Sequence, residues 1–183
     1  MTTVHVRPLV PEDAEIYQRL RLRGLREAPE AFGSTYEEDA ALPLAAVAER
    51  LGRVTAPAAR VVLGAFADGA LVGVVGCMQE SRTKTRHTAV VWGTYVAPES
   101  RGDGVGRRLL DALLAEVRTW PGVERLTLSV VERAGAARRL YASVGFVEFG
   151  READAFRQDG VRDVALHLAL ALRPGDEPPP LPA

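Results

Sequence analysis

A glycine-rich turn at residues 101–106 has the residue types that bind an anion through the main chain. Gly102, Gly104 and Gly106 alternate with other residues between a predicted strand and an amphipathic helix. Glycine permits backbone conformations closed to other residues and lets a ligand approach the main chain closely. The first amides of a helix lack internal partners and lie at the positive end of its dipole. The turn therefore predicts a pyrophosphate site, although the glycine spacing by itself also fits a tight turn that binds nothing.

Two other phosphate-binding motifs do not fit this turn. A P-loop ends in Gly-Lys-Ser/Thr, whereas Gly106 is followed by Arg107. The dinucleotide fingerprint places its last two glycines three residues apart, whereas Gly104 and Gly106 are two apart. Neither a P-loop nor a Rossmann site is predicted.

The remaining reactive residue types are few. Cys77 is the single cysteine, so it cannot form an intrachain disulfide or a cysteine metal cluster, and a packing role is expected. His5, His87 and His167 do not have the spacing of metal ligands. No Ser-His-Asp or Cys-His arrangement can be argued. We expect no metal site and no covalent intermediate on the protein.

Composition is that of an ordinary globular protein. The chain has 183 residues, of which 47% are hydrophobic and 26% are charged, and its formal net charge is −1. This length suits one domain with a sizeable core. The balanced charge does not favour nucleic acid or a membrane surface as a partner. With neither a signal peptide nor a membrane-spanning segment in the sequence, we expect a cytoplasmic protein.

Strands and helices alternate along the chain, which predicts one mixed α/β domain. Apolar alternation or runs predict strands at residues 4–7, 61–66, 71–78, 88–96, 126–131, 147–149 and 164–170. Helices are predicted from residues 11–13 to just before Pro29, at 44–51, after Gly106 and at 134–144, with an irregular acidic connection at 31–39. The strand at 88–96 is apolar on both faces and is expected to lie centrally in the sheet.

Two motifs in this order resemble those of the GNAT N-acetyltransferase superfamily. Arg101-x-x-Gly104-x-Gly106 is similar to that family's Gln/Arg-x-x-Gly-x-Gly/Ala element, and residues 137–146 are similar to its Ala-x-x-Leu-Tyr-x-x-x-Gly-Phe stretch. Residues 25–34 also resemble a segment of bacterial members. The resemblance implies a single GNAT-like α/β (α+β) domain over residues 1–172. Its mixed, mostly antiparallel sheet would have about seven strands flanked by about four helices, followed by a disordered proline-rich tail at 173–183.

The activity implied by this resemblance is acetyl-CoA-dependent N-acetyl transfer. The acetyl group would pass directly from acetyl-CoA, as cosubstrate, to a primary amine of a small molecule, a peptide N-terminus or a lysine. A non-catalytic acyl-CoA-binding regulatory module is the alternative, and a nucleic-acid-binding role ranks well behind both. The resemblance also allows a homodimer, because family members form them, but no feature of the sequence specifically indicates one.

The resemblance also assigns binding residues. Thr94, Tyr95 and Val96 would lie along the pantetheine arm, and an amide near Val96 would polarise the thioester carbonyl. The pyrophosphate would be held by Arg101, Gly102, Asp103, Gly104, Val105, Gly106 and Arg107. Arg107, Arg108 and Arg138 are candidates for the 3′-phosphate, although each fits a solvated surface residue as well.

Tyr141 is the candidate general acid, because a phenol near the sulfur can donate a proton to the departing thiolate. The alternative for Tyr141 is a tyrosine that packs by its ring. The chain departs from the family pattern at Ala134, where asparagine is common. It also departs at residues 89–92, where some members carry a glutamate that acts as the general base. The general base therefore has no assignment. Its candidates are Glu80, His87, Glu132, Glu37, Glu38 and a chain of water molecules.

Overall fold

The computed structural model describes residues 3–55, 58–158 and 160–172. The strands are β1 (Val4–Pro8), β2 (Arg60–Ala67), β3 (Ala70–Gln79), β4 (Thr88–Val96), β5 (Arg125–Val131), β6 (Val147–Gln158) and β7 (Val161–Ala171). The α-helices within these described residues are α1 (Ala14–Glu27), α2 (Tyr36–Ala40), α3 (Leu44–Leu51), α4 (Val105–Val117) and α5 (Gly135–Ser143).

One sheet joins all seven strands in the order β1-β2-β3-β4-β5-β7-β6. Its neighbouring strands are antiparallel except for β4 and β5, which are parallel. The fold class predicted from the sequence is therefore confirmed. The strand β4 is the fourth of the seven, as its apolar faces predicted, and it contributes to the core on both sides of the sheet.

The helices cover the two faces of the sheet. On one face α4 packs through the residues predicted to point inward, all of them buried: Leu109, Leu110, Leu113, Leu114 and Val117. On the other face α1 and α3 pack through a second apolar cluster that includes Tyr17, Leu25 and Val47. Cys77 belongs to the first cluster and is completely buried, as expected of a packing residue. Burial raises the pKa of its thiol to about 12.

Two features differ from the elements predicted, and a third prediction is not tested. Residues 36–40 form α2, which Thr35 caps by accepting a hydrogen bond from the Glu38 amide at 3.2 Å, while the Glu38 carboxylate accepts one from the Thr35 amide at 2.8 Å. The last two strands are much longer than predicted and form an extended hairpin. The predicted disordered tail, 173–183, lies outside the described residues. Along the described part of the chain, every helix is too short or too polar to cross a membrane.

Candidate active site

The strands β4 and β5 separate to form a cleft in the middle of the sheet. Their parallel pairing extends only from Thr88 with Arg125 to Val90 with Thr127. Both strands continue beyond this point, β4 as far as Val96 and β5 as far as Val131. The edge of β4 that faces β5 therefore carries backbone groups without a ladder partner over residues 91–96. Such groups are strong hydrogen-bonding sites for an extended ligand.

A bulge in β4 lies where the cleft opens. Between the pair Trp92 with Gly76 and the pair Tyr95 with Val74, β4 has two residues opposite the single Val75 of β3. The first of the two, Gly93, has φ +63, a conformation that favours glycine. The bulge interrupts the alternation of side chains, so Val91 and Thr94 both point to the α4 face. A lone glycine inside an apolar strand is the sequence signal that could have predicted it.

Thr94 and Tyr141 meet at this bulge. Tyr141, on α5, is 7% exposed, and its ring packs edge-on against Phe146 with 5.8 Å between centroids. Burial raises the pKa of Tyr141, and the nearby Thr94 hydroxyl offsets part of that rise. The two hydroxyls do not form a hydrogen bond of normal geometry, and the Thr94 Oγ1 atom is buried without a partner in the described chain. The structure thus brings two of the predicted site residues together.

The glycine-rich turn leads from the open end of β4 into α4. Gly102 has φ +90 and Gly104, the N-cap of α4, has φ +75. Open space surrounds both positions, because a Cβ at either would meet no atom within 4 Å. The first backbone bond of the helix runs from the Arg108 amide to the Gly104 carbonyl. The amides of Val105, Gly106 and Arg107 therefore precede the helical bonds and have the arrangement that an anion requires.

The arginines near this turn differ in what they contact. Arg101 donates from Nε to the Val96 carbonyl at 2.8 Å, which joins the turn to the end of β4. Arg107 donates to the Asp111 carboxylate at 2.9 Å and to the Ser143 carbonyl at 3.2 Å. Arg138 donates to the Glu132 carbonyl at 3.1 Å. Arg108 is exposed.

Tyr95 points to the opposite face from Thr94 and ties α1 to the turn. Its hydroxyl donates to the Glu27 carboxylate at 2.5 Å, and burial together with this carboxylate raises the pKa of Tyr95 to about 12. Arg23 donates hydrogen bonds to the carboxylates of Glu27, at 2.8 Å, and Glu99, at 2.7 Å. The Arg23 hydrogen bond lowers the pKa of Glu99 to about 2. The end of α1 is thereby held against the residues that lead into the glycine-rich turn.

Of the candidate bases, His87 and Glu80 lie at the closed end of the cleft, away from the bulge, while Glu132 and Glu38 already have partners. His87 precedes β4 and is six residues from Gly93, roughly 20 Å along a strand. The Glu80 amide bonds the Thr88 carbonyl at this same closed end. Glu132 forms an ion pair with Arg151. The Glu38 carboxylate accepts the helix-capping bond described above.

Glu37 lines a cavity of about 620 Å³ between the loop after α1 and the β6–β7 hairpin. This Phe32 cavity, defined by Phe32, Tyr36 and Phe156, also contains the carboxylates of Glu30 and Asp163. Asp163 accepts two bonds of 2.8 Å from Arg133. Glu30 and Glu37 have no ion pair with any described residue. Sequence reasoning had named Glu37 but missed the cavity, because its walls come from segments more than a hundred residues apart.

A second cavity, of about 480 Å³, lies under α1 and α2 on the same face of the sheet. This Arg21 cavity is lined by Arg21, Asp39, Arg50, Arg60, Met78 and Trp92, among others. None of its arginines was predicted as a site residue. The signal available was the position of Arg21, which falls on the apolar stripe of its helix between Tyr17 and Leu25.

The residues of the cleft fit the pantetheine and pyrophosphate of coenzyme A. An extended arm would satisfy the backbone of β4 beyond Val90, and the Thr94 hydroxyl is a buried polar atom that still lacks a partner. Open space surrounds Gly102 and Gly104, which directly precede the amides at the start of α4. The described residues contain no cluster of His, Cys, Asp and Glu that could hold a metal ion.

Known proteins share both the sequence pattern and the fold. The model of the acetyltransferase (GNAT) family matches residues 22–146, more than half of the chain. The structure resembles that of yncA from Salmonella typhimurium with its cofactor acetyl-CoA, at TM-score 0.76 and 20% identity, over 97% of this chain and 98% of that one.

Two further structures are similar in the same way. An acetyltransferase of the GNAT family from Streptococcus pneumoniae has TM-score 0.74 and 21% identity, over 92% of this chain and 99% of that one. Ribosomal-protein-alanine N-acetyltransferase from Brucella melitensis has TM-score 0.72 and 22% identity, over 91% of this chain and 99% of that one. Because the family model matches more than half of the chain, the chain belongs to the GNAT family of acetyltransferases.

Proposed function

We propose that this protein transfers an acetyl group from acetyl-CoA directly to the nitrogen of a primary amine. One observation carries the proposal: the orphan hydroxyl of Thr94, the buried phenol of Tyr141 and the unpaired edge of β4 meet where the sheet opens. The cleft continues to the glycine-rich turn of residues 101–106, named here the phosphate turn, so a single elongated thioester could span both.

Binding is assigned to the backbone and to a few side chains. Thr94, Tyr95 and Val96 lie along the pantetheine arm, and the turn holds the pyrophosphate through Arg101, Gly102, Asp103, Gly104, Val105, Gly106 and Arg107. Arg101 orients the turn through its bond to Val96 rather than by charge alone. Because Arg107 is already paired with Asp111, we expect its amide to contribute more than its guanidinium.

Acetyl-CoA supplies a thioester whose carbonyl carbon accepts the amine. The new C–N bond forms as the C–S bond breaks, the amine loses a proton and the departing thiolate gains one. A backbone amide near Val96, at the end of the bulged segment, stabilises the negative charge that develops on the carbonyl oxygen. Holding both reactants in one cleft supplies a large part of the acceleration.

Tyr141 supports the departure of the sulfur. Its raised pKa keeps the phenol protonated at neutral pH, so the hydroxyl is available as a donor. In water a thiol has a pKa of about 8.5 and a phenol about 10, so proton transfer from phenol to thiolate would be uphill. Burial raises the pKa of both groups, and the hydrogen bond to the developing thiolate lowers the barrier even before transfer is complete.

The acceptor reaches the thioester from the α1 face. Small amines, peptide N-termini and lysine side chains all meet the chemical requirement. We assign the uptake of the amine proton to Glu30 or Glu37 in the Phe32 cavity, through water. This assignment rests on their position in that cavity and on their lack of an ion pair among the described residues.

Thiol release distinguishes this enzyme from a module that binds acyl-CoA without turnover, which Ala134 and the absence of a carboxylate at residues 89–92 would allow. We expect acetyl-CoA to bind with a stoichiometry of one in calorimetry. Incubation with a broad amine panel should give acceptor-dependent release of coenzyme A and an acetylated product by mass spectrometry. Binding without release for every amine would favour the module, and a lack of binding would reject both functions.

A further inference from the structure

We infer that the Arg21 cavity binds a carboxylate of the acceptor, so that the substrate is an amine of the amino-acid class rather than a simple amine. The inference rests on the proposed transferase function. It depends on the charges lining this cavity, on the Arg21 Nη1 atom, which has no partner among the described residues, and on the distance from that nitrogen to the β4 bulge.

Arg21 is the central observation. The residue is 7% exposed, and its guanidinium group lies over the Phe32 ring, with 4.4 Å between the guanidinium carbon and the ring centroid. Its Nη2 atom donates to Ser34 at 2.6 Å and to Asp39 at 3.3 Å. No described residue accepts from Nη1, and this atom is not among the fully buried unpaired atoms. It is therefore accessible from the cavity and able to donate to a ligand.

The cavity has an excess of positive charge. The buried Asp39 carboxylate accepts from both Arg21 and Arg50, the latter at 2.9 Å. Burial would raise the pKa of Asp39, but hydrogen bonds from Ser34 and these arginines hold it below its usual value, so Asp39 is ionised at neutral pH. One negative charge thus lies between two positive charges. Arg60 adds a third positive charge and Glu38, which also lines the cavity, adds a second negative charge, so one positive charge is in excess. An anion is the ligand that this excess favours.

Arg60 presents its guanidinium from the other side. Its Nη2 atom donates to the carbonyls of Glu49, at 2.8 Å, and Gly52, at 3.2 Å, at the end of α3. These bonds fix the side chain and leave Nη1 without a partner among the described residues. A planar carboxylate matches the fork of a guanidinium better than other small anions do.

The floor of the cavity is apolar. The Trp92 indole lies flat on β3, so close to Gly76 that a Cβ there would come within 2.4 Å of the ring. Met78 beside it is 45% exposed, unusually high for a large apolar side chain. Both surfaces are available to the carbon skeleton of a ligand whose carboxylate reaches the arginines. The volume of about 480 Å³ is ample for a single amino acid.

The position of Arg21 links the cavity to the reacting centre. Its Nη1 atom lies 3.5 Å from the place where a Cβ on Gly93 would stand. Gly93 is the first residue of the β4 bulge, where Thr94 and Tyr141 meet beside the proposed position of the thioester. A carboxylate on Arg21 would therefore direct an amine one or two bonds away toward the thioester, which is the geometry of an α- or β-amino acid.

Matched acceptors test this inference without altering the protein. Alanine, methionine and phenylalanine are compared with their carboxamides, which keep the amine and the side chain but lose the negative charge. Because a charged hydrogen bond is stronger than a neutral one, we expect kcat/KM to be about tenfold or more higher for the free acids. Since the two amines of a pair differ in pKa, rates are compared at equal concentrations of unprotonated amine. Equal values within every pair would overturn the inference.

Variants locate the effect in the cavity. Arg21→Gln should reduce kcat/KM for the acids toward that for the amides and leave the amides nearly unchanged, whereas Arg21→Lys should recover part of the preference. Arg60→Gln provides a second, independent removal of charge. Arg19→Gln, on the exposed side of the same helix, is the matched control. A loss of activity that is equal for acids and amides would mean that Arg21 has only a structural role.

A binding measurement separates failure of this inference from failure of the transferase function. Trp120→Phe leaves Trp92 as the single tryptophan, at the floor of the cavity. Titration with the free acids should change its fluorescence saturably, and the carboxamides should not. Saturable binding without acetyl transfer would support the carboxylate site in the Arg21 cavity and contradict the proposed transferase function. Acetyl transfer with a preference for amides or diamines would support the transferase function. It would also favour the acidic Phe32 cavity as the acceptor site and overturn the carboxylate site in the Arg21 cavity.

Discussion

At the scale of single residues, Tyr141 is a buried phenol that we propose as the proton donor. We expect Tyr141→Phe to lower kcat well over tenfold and to change acetyl-CoA affinity very little. The phenylalanine keeps the edge-on packing against Phe146 and removes only the hydroxyl. Steady-state kinetics and calorimetry on the same preparation measure both effects. Equal turnover in the two proteins would show that Tyr141 is a packing residue.

Thr94 allows a complementary test, because its hydroxyl is buried and unpaired in the described chain. An unsatisfied buried group costs about 1–3 kcal/mol, and an apolar isostere removes that cost. Thr94→Val should therefore leave the free energy of unfolding unchanged or raise it by about 1 kcal/mol. The same change should weaken acetyl-CoA binding about two- to tenfold, the effect of one lost hydrogen bond.

Thr88→Val is the control for this test, because Thr88 lies in the same strand at its closed end, where β4 still pairs with β5. Denaturant unfolding and calorimetry should find no loss of acetyl-CoA affinity in this control. If Thr94→Val bound acetyl-CoA as tightly as the original protein, the Thr94 hydroxyl would have no part in the pantetheine site.

At the scale of elements, the phosphate turn depends on Gly104, the left-handed N-cap of α4. Gly104→Ala should lower the free energy of unfolding by about 1–2 kcal/mol, because a side chain is unfavourable at this φ. The strain should also displace the amides of α4 and weaken coenzyme A binding at least several-fold. Calorimetric titration with coenzyme A measures this loss.

Gly122→Ala separates binding from stability. Gly122 has φ +74, almost the same as Gly104, and also has no atom within 4 Å of an added Cβ, but it follows α4 rather than precedes it. The two variants should lose similar stability, and only Gly104→Ala should lose coenzyme A affinity. A parallel loss in both would attribute the effect to general destabilisation.

The elements that sequence could predict are those with a clear period. The helical spacing of apolar residues predicted α4, and the continuous apolar run predicted β4; the structure confirms both elements. The short helix α2 was missed, although Thr35 and Glu38 have the capping-box spacing, because five residues give no periodic signal. The lengths of β6 and β7 were underestimated because charged residues interrupt their alternation.

At the scale of the whole molecule, the site combines what sequence can and cannot predict. The glycine-rich turn and Tyr141 lie in short motifs that resemble those of the family, so their place beside the cleft could be predicted from the sequence, while their roles stay predictions. The separation of β4 from β5 could not, because it depends on where two distant strands stop pairing. The same holds for Arg21 and Asp39, which are eighteen residues apart and meet only after α1 and α2 pack on the sheet.

Acid sensitivity of the fold follows from carboxylates that gain partners on folding. Asp13 accepts two hydrogen bonds from Arg7, at 2.6 and 2.8 Å, and these bonds lower its pKa. A carboxylate whose pKa is depressed in the folded state stabilises the fold above its unfolded pKa of about 3.9. That stability is lost as the pH falls from about 4 through the folded pKa, because the folded state must then take up the proton that the unfolded state already binds.

Asp13→Asn should therefore lower the free energy of unfolding by about 1 kcal/mol at pH 7, a modest value because Arg7 is 40% exposed. Asparagine can still accept from the Val10 amide, so the change removes chiefly the charge. The difference from the original protein should shrink below pH 4 and vanish once the folded carboxylate is protonated. Urea unfolding between pH 7 and pH 3 measures the difference, with the exposed neighbour Glu12→Gln as control. A difference that stays constant across this range would mean that the charge of Asp13 does not stabilise the fold and that its side chain acts only as a cap.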